Sequence, residues 1–362
     1  MSSYRFVRWF IIIFIFFTFL HFLVWEVFTK QLLATKEPLY VGDLARIGYQ
    51  LDSLQIRKTE VTLPKLHIQA PTWDNEKVDV LTIGDSFSIG GGGGLNPFYQ
   101  DYIATNYNLS VMNLDRLPQL DDYMENIIVW NNSGLLDVIK PKVIILETIE
   151  RSALDRYSHE MNWEQNVSLP LIYDAMRQQD RTGSQVILMI NTANYKYFIY
   201  NLMYKFSHNA LNYSTVYRFK LDEALFTAKA NHTLLSYDQD ITSLGLVNEE
   251  NVQKMNTNLN RLADMLAKKG IRLIFMPVVD KYDLYYDHLV KKPTERNRFF
   301  DILAPLPKRY YFVNTKAELQ KLVDHKVKDV FHADDSHWTY RASEQVVQSI
   351  PFDHLIAKDN HQ

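Results

Sequence analysis

Cysteine is absent from the 362 residues, and neither sign of charge dominates. The first absence excludes disulfides, thiol nucleophiles, thiolate zinc sites and iron–sulfur clusters. The 39 basic and 42 acidic residues give a formal net charge of −3. A dedicated nucleic-acid binder usually carries a basic excess, so no nucleic-acid partner is expected. Hydrophobic residues make up 47% of the chain, which indicates a folded protein with one large domain or two smaller ones.

A long apolar run lies near the N-terminus. Residues 9–25 contain no Asp, Glu, Lys or Arg. As a helix they would be about 25 Å long, near the lower limit for crossing a bilayer. Trp9 and Trp25 stand at the two ends, where the membrane interface favours indole rings. The run predicts a transmembrane anchor at 9–28 after a tail at 1–8. The alternative is a cleaved signal peptide, although no small-residue cleavage site follows.

Charges on either side of the run indicate its orientation. Arg5 and Arg8 precede it and Glu26 follows it. The positive-inside rule then places the tail in the cytoplasm and the remaining chain outside. An exported domain without cysteine suits a bacterial cell envelope. We therefore expect a single-pass protein of the bacterial inner membrane whose main domain faces the periplasm or the extracellular side.

Short apolar runs alternate with helical patterns from residue 76 onwards. Strands are predicted at 77–83, 109–114, 143–146, 271–278 and 310–313. Helices are predicted near 98–104, 120–139, 251–269 and 339–349. This alternation predicts an α/β fold with a mainly parallel sheet. Residues 29–75 are expected to form a membrane-proximal stalk that packs on the domain. Residues around 152–250 are expected to form an insertion, with a helix near 196–208.

Gly84-Asp85-Ser86 directly follows the first predicted strand. In open α/β sheets, ligands bind at the carboxyl ends of the strands. A serine there can present its hydroxyl beside free backbone N–H groups that stabilise an oxyanion. Ser86 is therefore a candidate nucleophile. The alternative is a capped turn, because Asp and Ser are also preferred N-cap residues.

A second group of reactive side chains lies in Phe331-His332-Ala333-Asp334-Asp335-Ser336-His337-Trp338-Thr339. A serine nucleophile needs a base, and the base needs a group that orients it. His337 is the candidate base, and Asp334 or Asp335 can hold its second ring nitrogen. His332 is a weaker alternative, and an exposed acidic turn is the non-catalytic one. The His spacing gives only a weak ligand cluster, so no metal and no cofactor are expected.

Together, the two groups resemble the SGNH, or GDSL, hydrolase superfamily. That family has an N-terminal Gly-Asp-Ser block and a C-terminal Asp-x-x-His block. The resemblance implies a flavodoxin-like three-layer sandwich over 76–355, with Ser86 as nucleophile and His337 as base. Asp334 has the superfamily spacing. Asp335-Ser336-His337-Trp338 is instead similar to the Asp-x-His-Trp motif of AlgX/AlgJ-like polysaccharide O-acetyltransferases, which makes Asp335 the acid.

The resemblance to this branch also implies an activity. It predicts a membrane-anchored serine O-acyltransferase, with acetyl as the expected group, that acts on a cell-envelope or exported polysaccharide through an acyl-Ser86 intermediate. AlgX/AlgJ-like and DltD-like proteins often work beside a membrane-bound O-acyltransferase, which is therefore an expected partner. Two alternatives remain. One is a glycan O-acyl esterase with the same triad, and the other is a non-catalytic glycan-binding or scaffold subunit.

Two blocks depart from the superfamily pattern. The second lacks its Gly at 111–115, and the third lacks its Asn at 146–151. The Ser86 backbone N–H is then the expected oxyanion donor, with Asn113 and Arg151 as possible helpers.

Five consecutive glycines, at 90–94, follow Ser86 closely. They predict either a mobile loop that gives room to a bulky acceptor, with Gly90 on the substrate side, or a plain turn. A phosphate loop is disfavoured because no Lys-Ser/Thr follows. The neighbouring charges Asp280-Lys281 and Glu150-Arg151 are more typical of surface ion pairs than of a site.

Overall fold

The structure, a computed structural model, describes residues 3–33, 40–57, 61–94, 96–179, 189–210 and 214–356. Its strands are β1 Ile68–Gln69, β2 Val80–Ile83, β3 Val111–Asn113, β4 Val143–Ile149, β5 Val216–Lys220, β6 Thr233–Tyr237, β7 Arg272–Val278 and β8 Tyr311–Phe312. Its helices are α1 Ser3–Val24, α2 Lys30–Leu33, α3 Asp43–Gly48, α4 Tyr99–Tyr107, α5 Tyr123–Asn132, α6 Leu135–Ile139, α7 Glu150–Tyr157, α8 Leu169–Arg177, α9 Ala193–Met203, α10 Gln239–Thr242, α11 Glu249–Ala267, α12 Lys281–Leu284, α13 Phe299–Leu303, α14 Thr315–Asp324, α15 Tyr340–Gln348 and α16 Phe352–Ile356.

The main sheet has six strands in the order β1-β3-β2-β4-β7-β8, and every neighbouring pair is parallel. From β2 the chain moves to β3 through α4, and then returns past β2 to β4 through α5. Right-handed crossovers in opposite directions place their helices on opposite faces of the sheet. Accordingly, α4 packs with α15, whereas α5 and α7 pack with α11. The predicted α/β sandwich with a mainly parallel sheet is confirmed.

The core strands are longer or shorter than their sequence patterns suggest. Both β2 and β4 are buried along their whole length, as expected for a sheet covered on both faces. β4 continues to Ile149, beyond the predicted end at 146.

The single helix predicted at 120–139 is two helices, because Gly134 adopts a left-handed conformation, with φ of 83°, between them. Such a conformation costs glycine little.

The N-terminal helix is continuous from Ser3 to Leu33, through α1, a π-helical turn at Trp25–Thr29 and α2. By length and composition it could cross a membrane as an anchor or serve as a signal sequence. Its N-terminal part is exposed, whereas Trp25, Thr29 and Leu32 are buried against the domain.

Parts of the predicted stalk and insertion pack together beside the main sheet. β5 and β6 form a separate antiparallel pair, and α3 lies against both strands. Leu32, Leu44, Val216 and Leu235 share one small apolar core there. β1, also from the predicted stalk, forms the edge of the main sheet. The domain boundary at residue 76 stays a prediction.

Candidate active site

Ser86 lies just beyond β2, at the carboxyl edge of the sheet and at the point between β2 and β4 where the strand order reverses. This is the usual ligand position in doubly wound sheets. Gly84 allows the turn, because a Cβ there would collide with the Glu147 carboxyl group. Asp85 holds the turn in place. Its carboxylate accepts hydrogen bonds from Ile149 N at 2.8 Å and Phe87 N at 3.3 Å.

Ser86, His337 and Asp335 form a continuous hydrogen-bonded series. Ser86 Oγ lies 2.6 Å from His337 Nε2, and His337 Nδ1 lies 2.5 Å from Asp335 Oδ1. The His337 backbone N–H also donates to Asp335 Oδ1, at 3.0 Å. Burial acts to lower the pKa of His337, but the Asp335 carboxylate outweighs it and the pKa is raised. Burial likewise opposes ionisation of Asp335, yet His337 and Arg57 bring its pKa below the ordinary value.

Asp334 makes different contacts from Asp335. Its Oδ1 lies 2.6 Å from Arg57 Nη1, and its Oδ2 accepts hydrogen bonds from the Gly42 and Gln55 backbone N–H groups. Arg57 Nη2 lies 3.2 Å from Asp335 Oδ2, and Arg57 Nε donates to Gly92 O at 2.8 Å. Arg57 therefore holds the loop that carries Asp334 and Asp335, here the aspartate loop, against the glycine run. The geometry places Asp335, rather than Asp334, on His337.

Asp43, like Arg57, lies in the segment after the N-terminal helix and contacts the loop that carries Asp334 and Asp335. It accepts hydrogen bonds from Ser336 N at 2.8 Å, Ser336 Oγ at 2.6 Å and Tyr237 OH at 3.0 Å. Burial raises the pKa of Asp43, and the Asp335 charge raises it further. Motif reasoning missed both Asp43 and Arg57, because neither belongs to a recognisable motif and both are distant in sequence from the residues they hold.

Asp43, Asp335 and His337 are the side chains best placed to hold a metal, with one potential ligand atom from each lying within 4.8 Å of the others. These atoms already have protein partners. Asp43 binds Ser336 and Tyr237, while Asp335 binds the His337 ring. The cluster is therefore satisfied as a hydrogen-bond network. The expectation of no metal and no cofactor stays a prediction.

Lys281 fixes the loop that carries the aspartates. Its ammonium group donates to the carbonyl oxygens of His332, Ala333 and Asp335, at 2.7, 3.1 and 3.0 Å. Burial lowers the pKa of Lys281 to about 8. The expected surface pair of Asp280 with Lys281 is wrong, because both residues are buried and Lys281 points to backbone oxygens.

The glycine run covers the triad closely. Gly91 N donates to Ser86 O at 2.7 Å, and a Cβ on Gly91 would collide with the His337 ring. Gly92, with φ of 88°, lies against His337 and His332. Gly90 has φ of 76°, and a Cβ there would lie 2.7 Å from the Phe98 ring. Only glycines let this backbone approach the imidazole so closely.

The expected oxyanion helpers lie in networks of their own. Asn113 accepts hydrogen bonds from Thr82 and Gln100 and donates to Asp115 Oδ1 at 3.2 Å. Among the described residues, the Ser86 backbone N–H donates to no backbone oxygen, and its role as an oxyanion donor stays a prediction. The oxyanion role of Asn113 and the substrate role of Gly90 stay predictions.

Arg151 takes part in a buried charge network. It binds Asp280 Oδ1 at 2.7 Å and Asp240 Oδ1 at 3.0 Å. Glu150 is buried and accepts a hydrogen bond from Asp280 N at 2.8 Å. The expected surface pair of Glu150 with Arg151 is therefore wrong. The role of Arg151 toward an oxyanion or substrate stays a prediction.

His332 lies in the wall of a cavity of about 400 Å³ beside the aspartate loop, together with Gln55, Thr227, Lys229, Tyr340 and Arg341. Burial and the nearby Arg57 charge bring the pKa of His332 well below its ordinary value. Its Nδ1 has no hydrogen-bond partner among the described residues. His337, not His332, makes the contact with Ser86 Oγ.

A comparison with known families matches part of the chain. Residues 235–351 match the model of the SGNH hydrolase-like domain of acetyltransferase AlgX. The matched segment contains Lys281, Asp335 and His337, whereas Ser86 lies before it. Searches among curated proteins and solved structures found no match. The family match over residues 235–351 and the parallel sheet together support an SGNH hydrolase-like domain similar to that of AlgX.

Proposed function

We propose that the protein is a membrane-anchored, extracytoplasmic serine O-acyltransferase that transfers an acyl group, expected to be acetyl, to a cell-envelope or exported polysaccharide. The observation that carries the proposal is the unbroken contact from Ser86 through His337 to Asp335. The AlgX-type match over 235–351 supports acetyl-transfer chemistry. The apolar helix at Ser3–Leu33 supports membrane attachment.

The first half-reaction loads the enzyme. Neutral His337 accepts the Ser86 proton at Nε2 while Oγ attacks the carbonyl carbon of the acyl donor. Asp335 stabilises the resulting imidazolium, and the Ser86 backbone N–H is placed to bind the developing oxyanion. When the intermediate collapses, the donor's leaving group departs with the proton from His337. The acyl group then remains as an ester on Ser86.

The second half-reaction uses the same groups in reverse. A sugar hydroxyl gives its proton to His337 Nε2 and attacks the ester carbonyl, and Ser86 Oγ leaves with that proton. Positioned base assistance of this kind typically contributes about 10²–10⁴-fold in rate. The cavity beside His332 presents Lys229, Tyr340 and Arg341, so it offers hydrogen-bond donors to a polar acceptor. A membrane-bound O-acyltransferase is the proposed source of the acyl group.

A glycan O-acyl esterase with the same triad is the second candidate. Ser86 is half-buried rather than sealed, so water can also reach an acyl-Ser86 ester. The two activities differ in whether a sugar hydroxyl or water discharges the ester. A non-catalytic glycan-binding subunit is supported by the departures in the second and third blocks, and the Ser86–His337 contact opposes it.

The proposal is tested by intact-mass and peptide mass spectrometry on the full chain in detergent micelles. The protein is mixed with an activated acetyl ester, with and without acceptor oligosaccharides. We expect one acetyl group on Ser86 that discharges faster when sugar is present. Ser86→Ala and His337→Ala should abolish the mark. Ser88→Ala is the matched control, because this neighbouring hydroxyl binds Glu147 and Tyr99 instead of the triad.

The other outcomes separate the alternatives. An acetyl mark that is lost equally fast without sugar would identify an esterase. A folded protein that neither takes the mark nor releases the leaving group of the ester would refute both enzymes and leave the glycan-binding subunit.

A further inference from the structure

The outer side of α9 carries a row of exposed apolar side chains. Tyr195, Phe198, Ile199, Leu202 and Phe206 form what is here called the α9 face. Their spacing of three, four, seven and eleven residues from Tyr195 places them on one side of a helix and its following turn. Leu202 is 55% exposed and Phe206 is 81% exposed. Soluble surfaces seldom gather so many large apolar groups in one patch without a binding role.

The opposite side of the same helix is attached to the domain. Tyr200 is buried and meets the Tyr49 ring edge-on, with centroids 5.0 Å apart. Asn201 Nδ2 donates to Tyr49 O at 3.0 Å. α9 therefore already has a packed inner side, and the apolar α9 face is a second surface that the domain leaves uncovered.

The position of the α9 face relative to the N-terminal helix indicates what covers it. The Phe28 ring stacks on Tyr197 at 4.8 Å and meets Phe198 edge-on at 5.5 Å. Thr29 Oγ1 donates to Asn194 Oδ1 at 2.6 Å, and Asn194 Nδ2 lies 3.1 Å from His21 Nδ1. α9 thus packs along the last turns of the apolar helix.

These turns correspond to the level at which a membrane span leaves the bilayer. Trp25 lies between His21 and Phe28 at the end of the apolar run and is buried against the domain. The charged pair Glu26–Lys30, at 2.9 Å, follows at once. Aromatic and aliphatic side chains on one side of a helix are the usual composition of a segment that lies in the interface plane. The exposed Lys205 adds a positive charge that suits anionic headgroups.

We propose that the α9 face inserts into the interfacial region of the lipid bilayer from which the N-terminal helix emerges. The domain is then attached at two points, a spanning helix and an interfacial helix. The two attachments together would determine which side of the domain faces the membrane. The proposal depends on the N-terminal helix spanning the bilayer and is independent of acyl-transfer activity.

The absence of cysteine makes the test direct, because a single introduced thiol carries the only label. We would prepare the full chain as Phe198→Cys and Leu202→Cys and attach an environment-sensitive fluorophore. Leu171→Cys is the matched control, since Leu171 is 58% exposed on α8, a helix that packs against residues 70–72. Phe16→Cys, in the middle of the apolar helix, marks full lipid exposure.

The labelled proteins are reconstituted into liposomes of phosphatidylcholine and phosphatidylglycerol, with nitroxide-bearing lipids or aqueous iodide as quencher. We expect labels at 198 and 202 to lose most of their fluorescence to lipid nitroxides and to resist iodide, while the label at 171 does the reverse. Labels at 198 and 202 that behave like the one at 171 would refute the proposal. Labels shielded from both quenchers would also refute it and identify a protein contact instead.

Discussion

Two pairs of buried carboxyl groups flank Ser86 and His337, and each pair has one arginine nearby. On the serine side, Asp85 and Glu147 lie near Arg156, which binds Asp85 Oδ2 at 3.1 Å. On the histidine side, Asp334 and Asp335 share Arg57, at 2.6 and 3.2 Å. In each pair burial opposes ionisation, and one member has a lowered pKa while the other has a raised one. Asp85 and Asp335 have the lowered values, and Glu147 and Asp334 the raised ones.

The pairs differ in what the ionised member contacts. Asp335 binds the imidazole of the candidate base His337, whereas Asp85 binds two backbone N–H groups and Arg156. The arginines differ as well. The Arg57 side chain is 2% exposed and comes from the segment after the N-terminal helix, while Arg156 is 25% exposed and lies on α7, directly after β4. The same arrangement of charges therefore holds the His337 ring on one side and the backbone of the turn that carries Ser86 on the other.

Replacing Asp335 by asparagine, compared with the same replacement at Asp334, should give the largest difference in kcat. Asp335→Asn should lower kcat about 10³–10⁴-fold, because an amide no longer favours the His337 tautomer whose Nε2 accepts a proton. Asp334→Asn leaves the His337 contact in place, so its main effect should be a loss of about 1–3 kcal/mol in the free energy of unfolding. Steady-state rates and chemical denaturation of both variants measure the contrast. Equal losses of kcat would contradict the assignment of Asp335.

The pH dependence of kcat should also distinguish Asp335 from Asp334. His337 must be neutral to act as a base, and its pKa is raised, with Asp335 the main group that favours the charged form. The acid limb of kcat should therefore lie above the ordinary histidine value of about 6.5. In Asp335→Asn the limb should move to lower pH, because the imidazolium loses its counter-charge. In Asp334→Asn it should stay near that of the unsubstituted protein.

Arg57→Lys should have an intermediate effect. Lysine keeps the positive charge, but its single ammonium cannot reproduce the fork that meets both aspartates and Gly92 O. We expect a fall in kcat of about 10- to 100-fold through misplacement of the aspartate loop, with little change in KM for the acyl donor. Arg46→Lys, an exposed position in the same segment, is the control. A change in KM alone would show that Arg57 acts on substrate binding instead.

Sequence patterns identified Ser86 and His337 as candidates but gave no sign of the groups that hold them in place. Ser86 and His337 stand in short motifs whose chemistry is local, and the strand before Ser86 is a continuous apolar run. Arg57 is separated from Asp334 by 277 positions in the chain. No periodicity marks such a contact, because it forms only when the segment after the N-terminal helix folds over the aspartate loop.

The burial of Lys281, the position of the glycine run and the exposure of the α9 face depend on how distant segments pack, so sequence patterns do not predict them. Lys281 beside Asp280 has the sequence pattern of a surface pair, and its burial follows from three carbonyl oxygens that the fold brings together. The glycine run is equally compatible with an open loop, and its close contact with His337 depends on the position of the C-terminal loop. The five apolar residues of the α9 face resemble core residues in sequence, and only the fold shows that they are exposed.

Glu147→Gln on the serine side should have the smallest effect and a distinctive pH dependence. Burial and the Asp85 charge raise the pKa of Glu147 well above its ordinary value, which favours the neutral form in the folded protein. A glutamine keeps an oxygen that can accept from Ser88 Oγ, and we expect a stability change below about 1 kcal/mol at acid pH. Asp85→Asn should cost more, about 1–3 kcal/mol, because it removes an ionised acceptor.

The sign of the Glu147 effect follows from proton linkage. Above the unfolded-state pKa of about 4.3, the unfolded chain releases the Glu147 proton while the folded protein retains it. Rising pH therefore favours unfolding until the folded-state pKa is passed, and glutamine removes this penalty. The stability of Glu147→Gln relative to the unsubstituted protein should increase from about pH 4 towards neutrality. Denaturation midpoints across this range measure the difference. A relative stability that falls with pH would mean that Glu147 is ionised in the folded protein, and the serine side would then hold two charged carboxylates beside one arginine.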